Sequence, residues 1–514
     1  MNLVQDVRFA FRMMAKSPGF TAVVILTLAL GIGANTTVFT LVNAVLFRGM
    51  PFDRPDEIVG ISGRNFTKKF TQTGVSFPDF ADLRAKSKSF RDLALYSGIG
   101  VNLSNEGNVP ERYSGARVGV NLFPMLGVQP IVGRSFTEED GKPGAGAAAL
   151  ISNAIWKSRY GGANSVIGRV VRINDVPTTI VGVMPPDMNF PSNQDIWVAL
   201  VPNGTWEKRD VRDFNVVARL KDGVSMSAAR AELDLLASNL GKEYPATNKA
   251  AQLRVQTMNE VMNGGPIRNI FLALLGAVGF VLLIACANVA NLLLSRSIAR
   301  AREVSIRTAL GASRWRIIRQ LLVECLLLST AGAVLGFLIA LWGVRVFDAA
   351  VVDSGKPYWV RFYMDSTVFL YVAGMCLASS FLFGLFPALQ TTRVDLNTVL
   401  KEGGRGTSGS RSRWLSEALV AGELALAMIL LVGAGLMMRS FLNLYQIDSI
   451  DRPENVLQMR MSLALAKYPK PEQRAQFFDR LLLKLQTVPG SEGVALASDA
   501  PLQGAEGWRF ELEG

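Results

Sequence analysis

The sequence contains no histidine and only three cysteines, Cys286, Cys325 and Cys376, in 514 residues. The first absence excludes a Ser-His-Asp or Cys-His catalytic arrangement, a histidine-ligated zinc and a histidine-ligated haem. The cysteines all fall in apolar runs and no pair has metal-ligand spacing, which leaves no disulfide framework in the long polar segments. No G-x-x-x-x-G-K-[ST] loop occurs, so the sequence offers no phosphate-cradling ATPase loop of its own. Charge is also scarce: 19% of residues are charged against a usual ~25%, while 49% are hydrophobic. With a mean hydropathy of +0.26, the balance argues against a soluble enzyme and against disorder. No nucleophile sits with a base, so no catalytic residue, metal or cofactor is expected, and the chain reads as a non-enzyme.

What is abundant is uncharged length. Phe20 to Phe47, Asn269 to Ser295, Cys325 to Val344 and Ser366 to Thr392 run for 28, 27, 20 and 27 residues without a charge. Ala418 to Met438 carries one charge, Glu423, in 21 residues. About 20 predominantly apolar residues cross a ~30 Å hydrocarbon core, so each run is long enough, and buried core helices rarely reach such lengths uncharged. The first run far exceeds the ~7–15 residues of a signal-peptide core and reads as a retained anchor. As a helix it would be about 42 Å long, with its outer end continuing as a stalk.

The net charge of +12 is then a matter of placement. Segments 1–19, 296–320 and 390–414 hold 15 of the 54 basic residues and only 4 of the 42 acidic ones, which accounts for nearly the whole excess. Five crossings put those three segments on one side, and the positive-inside rule makes that side cytoplasmic. The basic balance therefore reports topology and not a nucleic-acid partner. The expected order is a cytoplasmic amphipathic helix (1–19), a first crossing (20–47), an extracytoplasmic domain (48–266), a second crossing (267–295) and a cytoplasmic segment (296–320). Crossings at 321–347 and 366–392, a cytoplasmic linker (393–413), a fifth crossing (414–444) and the start of a second outer domain (445–514) follow. In the first segment Leu3, Val7, Phe11 and Met14 share one face, away from Arg8, Arg12 and Lys16, as in a helix lying at a lipid surface.

Segment 48–266 has mixed charge and short alternating runs. Glu57 to Ser62, Leu93 to Tyr96, Arg117 to Val120, Ala148 to Ser152, Val170 to Ile173, Thr179 to Val183 and Val216 to Leu220 read as strands. Turns such as Asn174-Asp175 separate them. Pro78 to Lys88 and Ser225 to Leu240 read as helices, the latter with Ala229, Leu233, Leu236 and Leu240 on one face. The fold class is thus an α-helical transmembrane bundle with a large extracytoplasmic α+β domain of one or two lobes. After the fifth crossing a strand (Asn455 to Leu463), a helix (Pro471 to Thr487) and a strand (Val494 to Ala497) repeat that pattern, which suggests an internal duplication. One such unit cannot bury a full core, so the chain reads as a fragment of a longer protein.

The most specific stretch is Ser295 to Ala312, containing Arg-Ala-Arg-Glu-Val-Ser-Ile-Arg-Thr-Ala-Leu-Gly-Ala from Arg300. Helical spacing sets Arg300, Glu303 and Arg307 along one face, and Gly311 breaks the helix before the next crossing. On charge alone a solvated basic loop is the simpler reading. Gly332-x-x-x-Gly336 and Ala285, Ala287 and Ala290 suit close helix packing, and Asn288 and Asn291 suit bonds across helices. Glu423 reads as structural, which leaves a proton-driven transporter without its midplane acids.

These segments resemble the MacB/FtsX-like ABC transporter permease family, in its long duplicated form. The coupling run from Ser295, the start Asp6-Val-Arg-Phe-Ala-Phe-Arg-Met-Met-Ala-Lys-Ser-Pro-Gly-Phe-Thr-Ala, and Leu28-Ala-Leu-Gly-Ile-Gly-Ala-Asn35 carry the resemblance. Gly127 to Phe136 and Ile180-Val-Gly-Val-Met-Pro resemble the MacB-like periplasmic core. The resemblance implies a permease subunit in a bacterial inner membrane, with its N-terminus cytoplasmic. A separate ABC ATPase would dock at Arg302, Glu303, Ile306, Arg307, Ala309, Leu310 and Gly311, and its strokes would move the outer domains. The chain would be part of an eight-crossing permease cut short, in a dimeric or pseudo-dimeric assembly. The implied roles are export of a small molecule, peptide or lipidic cargo, or, as in FtsX-like regulators, activation of an outer-face protein partner without cargo. Membrane lipid is a further partner; nucleic acid is not.

Overall fold

The computed structural model describes residues 3–65, 72–104, 110–204, 206–249, 251–309, 313–352, 356–391, 410–445 and, discontinuously, 456–497. It forms two compact units. One comprises residues 1–48, 262–356 and 360–441; the other comprises 49–261, 357–359 and 442–514.

Helix α1 (Leu3–Lys16) leads through Ser17 into α2 (Pro18–Val42), where Pro18 supplies a helix-ready φ at the first position. The Thr21 hydroxyl donates to the carbonyls of Met14 and Ser17, both at 3.0 Å, which fixes the corner. One π-helical turn, Asn43–Phe47, extends α2, and at Arg48 the chain becomes extended (φ −71°, ψ 130°). The helix thus spans the whole uncharged run to Phe47, and Pro51 a few residues on keeps Met50 out of the helical region.

The outer unit runs β1 (Ile58–Asn65), β2 (Gln72–Thr73), α3 (Phe77–Lys86), β3 (Phe90–Ser104), β4 (Glu111–Val118), α4 (Leu122–Leu126), β5 (Val132–Gly133), β6 (Ala147–Ile151), α5 (Asn153–Tyr160), β7 (Val170–Ile173) and β8 (Val176–Val183). β9 (Ile196–Ala199), β10 (Asn215–Leu220), α6 (Met226–Glu243), α7 (Pro245–Asn248), β11 (Ala251–Thr257) and α8 (Met258–Asn263) complete it. The strands form one mixed sheet in the order β11-β1-β10-β3-β4-β9-β6-β8-β5, with β2 on β1 and β7 joining β3 and β8. β4/β9 and β6/β8 are parallel; the other pairs are antiparallel.

The long strand β3 serves two lobes. Its Phe90, Leu93 and Leu95 join Val216, Ala218, Leu220, Ala229 and Leu233 in one core, while Val101 and Leu103 join Ile151, Ile173, Ile180 and Ile196 in another. The period of two along β10 buries Val216, Ala218 and Leu220 on one face and leaves Arg219 on the other. There the buried Arg219 guanidinium donates to Glu57 (3.0 Å) and to the carbonyls of Met125 (2.9 Å) and Asp53 (3.0 Å), so its charge is paired and its donors are used. The β7–β8 turn places Asn174 and Asp175 at φ 48° and 68°, the double left-handed turn that matches strand twist. Ser225 caps α6 by accepting from the Ala228 amide, and Glu232 accepts from the Lys88 and Ser89 amides.

The remaining helices are α9 (Pro266–Ala309), α10 (Arg314–Val351), α11 (Ser366–Thr391), α12 (Ser410–Tyr445) and α13 (Pro471–Gln486). α2, α9, α10 and α11 share a core of Val24, Leu28, Ile32, Leu282, Cys286, Val289, Cys325, Leu328, Cys376 and Phe383. Among the described residues, five helices are long and apolar enough to cross a membrane, at Pro18–Phe47, Ile267–Arg296, Trp315–Val351, Ser366–Gly384 and Glu417–Asn443. No described side chain of α12 is buried. Of the repeat expected after it, α13 is present. The strand expected at Val494 to Ala497 is not, and no strand forms among the described residues of 456–463. No described strand pairs with either stretch, and a lone strand leaves its ladder groups without partners.

Candidate coupling site

As far as Ala309 the run from Ser295 is helix. Helix α9 continues without a break from its apolar part through residues 296–309, a rigid extension of about 21 Å. Arg302, Glu303, Ile306, Arg307 and Ala309 lie on this backbone, and their side chains are outside what the structure describes. Leu310 and Gly311 lie outside the described residues. At 3.6 residues per turn the five residues on this helix do not share one face. Positions 302, 306 and 309 fall within roughly 60° of arc, and 300, 303 and 307 within a second such arc about a third of a turn away.

The next helix opens with Arg314, Arg316 and Arg319 in its first two turns, where the helix dipole disfavours cations. One of them is offset from α1: Arg319 Nη2 lies 2.7 Å from Asp6 Oδ2, and Asp6 is buried. On the other flank, Arg296 donates to the Ser17 hydroxyl and stacks its guanidinium 4.4 Å from the Phe20 ring centroid. Helix α1 is thus fastened to α10, which follows the run, and its corner with α2 to α9, which carries it.

Away from the run, small residues bring the helices together. A Cβ on Gly336 would lie 2.9 Å from the Ala29 carbonyl oxygen and 3.0 Å from the Gly33 nitrogen, and one on Gly332 would lie 2.7 Å from Leu28 Cβ. Gly343 meets Thr37 on the same seam. Asn35, buried on α2, donates to its own Gly31 carbonyl (2.9 Å) and across to the Val278 carbonyl of α9 (2.6 Å). Ser329 of α10 bonds the Cys376 carbonyl and the Ser379 hydroxyl of α11, each at 2.8 Å.

At the opposite end of α2 sits a charged clamp. Arg48 Nη2 meets Asp365 Oδ2 at 2.7 Å, and the guanidinium also donates to the Arg361 (2.6 Å) and Tyr363 (3.2 Å) carbonyls. It stacks 3.7 Å over the Tyr363 ring. Asn43 donates to the same Asp365 oxygen at 3.0 Å, while Asp365 Oδ1 caps α11 through the Val368 amide at 3.0 Å. Burial pushes the Asp365 carboxyl up. The Arg48 bond and charge, the Val368 amide and Asn43 outweigh it and hold the group below the ordinary carboxylate range. Asn263, at the end of α8, donates to the Val45 carbonyl at 2.8 Å. The strand of chain leaving the bundle at Arg48 and the one returning at Met262 are tied within it.

Comparison with known proteins decides the family. Residues 21–236 match the MacB-like periplasmic core domain, and residues 275–396 match the FtsX-like permease C-terminal domain. The chain belongs to the MacB/FtsX-like ABC transporter permease family. It is therefore a membrane protein, a helical bundle carrying a large periplasmic-core-type α+β domain. It is 27% identical over 390 residues to a macrolide export ATP-binding/permease protein MacB of Campylobacter jejuni, covering 73% of this chain and 56% of that protein. It is 26% identical over 281 residues to a pyoverdine export ATP-binding/permease protein PvdT of Pseudomonas syringae, covering 53% and 40%. The permease chain thus spans about half the length of these curated relatives. Among solved structures, the periplasmic region of MacB from Actinobacillus actinomycetemcomitans matches 43% of this chain and 94% of its own at 14% identity and a TM-score of 0.31.

The fastenings on either side of the run were not legible in the sequence. Asp6 reads as one acid among three bases, and nothing local pairs it with a residue 313 positions away. Arg48 and Asp365 look like ordinary residues at the ends of apolar runs. The signal that would have found them is positional: each is a lone charge at the first polar position beyond an uncharged stretch.

Proposed function

We propose that this permease couples ATP hydrolysis on a separate cytoplasmic ABC ATPase to movement of its extracytoplasmic domain, in a bacterial inner membrane, with the N-terminus inside. Three basic segments on one side of five spans support the orientation. The observation that carries the reading is the unbroken α9, which joins an apolar span to an arginine-rich tip. A push on that tip travels along a stiff rod, and α2, locked to α9 by Asn35, moves with it. The ATPase contacts are assigned to Arg302, Glu303, Ile306, Arg307, Ala309, Leu310 and Gly311. Relatives named as exporters of macrolides and of pyoverdine support export of a small molecule over regulation of an outer-face partner.

Reconstitution of the full-length permease with its ATPase tests both parts. Arg302→Glu and Arg307→Glu are expected to reduce ATPase co-purification, and cargo is expected to stimulate ATP hydrolysis by the wild type. Unchanged co-purification in both variants would remove the site assignment. Stimulation by an outer-face protein alone would replace export by regulation.

A further inference from the structure

Helix α1 has three differently used sides. Asp6 and Ala10 are buried against the bundle. Val4 and Phe11 are exposed, at 63% and 57%, and share a second side. Arg8, Arg12 and Lys16, spaced four residues apart, form an exposed cationic row centred about a quarter of a turn from that apolar side. Exposed apolar residues beside a cationic row match the boundary between acyl chains and anionic headgroups. The adjoining α2 likewise leaves Val23, Leu26 and Leu30 exposed on a membrane-spanning helix.

From this we propose that α1 is an anionic-lipid contact whose grip is relayed to the coupling run. Arg8, Arg12 and Lys16 bind headgroup phosphates, with Val4 and Phe11 in the acyl boundary. The relay is the pair of fastenings already described: Asp6 to Arg319 on α10, and Ser17 and Phe20 to Arg296 on α9. Lipid that holds α1 at the surface thereby holds both flanks of the run in register. The inference rests on the membrane reading and not on ATPase docking, so either can fail alone.

The test uses the full-length protein in nanodiscs of phosphatidylcholine, with or without phosphatidylglycerol. The native cysteines are buried, so a polarity-sensitive fluorophore can be placed selectively on Ala15→Cys, an exposed position of α1. Its emission is expected to shift to the blue when phosphatidylglycerol is present and to return in high salt. Each cation contributes roughly fivefold to the partition, so R8Q/R12Q/K16Q should abolish the response. Amide exchange over 296–309 should slow in the same discs. Asp6→Ala combined with Ser17→Ala and Phe20→Ala, which removes both fastenings, should keep the emission shift but lose the slowed exchange. Emission indifferent to lipid charge would overturn the proposal, as would a response seen only on adding the ATPase, which would assign the face to that protein. Slowed exchange that survives the loss of both fastenings would overturn the relay.

Discussion

A single side chain, Arg48, joins three parts of the bundle: the end of α2, the Arg361–Tyr363 segment and the cap of α11. Asp365→Asn keeps the cap and the shape but removes the charge, and Arg48→Ala removes the donors. Each is expected to lower the stability of the purified protein by roughly 1.5–3 kcal/mol, the usual range for a hydrogen bond to a charged partner. The double variant should cost little more than either single one, a coupling that a thermal-denaturation cycle measures. The pH dependence has a definite sign. Asp365 titrates lower in the folded protein than its ordinary value, so its contribution is complete above about pH 4 and is lost as pH falls through the lowered value. The stability gap between wild type and Asp365→Asn should stay constant from neutral pH downward and close only in acid. A gap that shrank near neutrality would mean that Asp365 is not held by Arg48.

Among the elements, the α2–α10 seam was legible and the fastenings around it were not. Gly332 and Gly336 at four-residue spacing announce close approach, because only a missing Cβ lets two helix backbones meet. Gly343, seven residues further on, escapes the motif but lies on the same side and meets Thr37. Gly336→Ala puts a methyl 2.9 Å from the Ala29 carbonyl and should destabilise by about 1–3 kcal/mol, because backbone cannot step aside as a side chain can. Gly374→Ala, with nothing within 4 Å, is the control and should be neutral. Equal melting temperatures for the two variants would mean that the seam is not closely packed. In the outer unit the alternating runs and the Asn174-Asp175 turn were readable because a strand's period of two and a hairpin's left-handed corner are local. The sheet order, the two parallel pairs and the use of β3 by two cores were not readable, since pairing partners are chosen across long sequence separations. The same limit applies to the strand expected at Val494 to Ala497: alternation is a local signal, but a strand also needs a neighbour, and no described strand pairs with it.

For the molecule as a whole, the five apolar runs were readable from length alone, and the runs beginning at Asp6, Leu28 and Ser295 carried the resemblance to the family, whereas the path proposed for the stroke rests on tertiary contacts that no local signal announces. That path has two ends with different expected failures. Under the proposed coupling, the tip of α9 is where an ATPase binds, so Arg302→Glu and Arg307→Glu should lose the complex and with it every ATPase-dependent effect. The Arg48–Asp365 clamp lies at the far end of α2, where the chain leaves the bundle for its outer domain. Arg48→Ala should leave ATPase co-purification intact and basal hydrolysis within about twofold, while stimulation by cargo falls severalfold. The reasoning is energetic: a coupling between sites is typically worth about 1–3 kcal/mol, comparable with the clamp's own bonds, so losing the clamp can remove most of the coupling. Parallel measurement of pull-down, basal hydrolysis and cargo-stimulated hydrolysis separates the two ends. A clamp variant that retained full stimulation would route the stroke elsewhere, through α9 and the Asn263–Val45 tie, and Asn263→Ala would then be expected to abolish it.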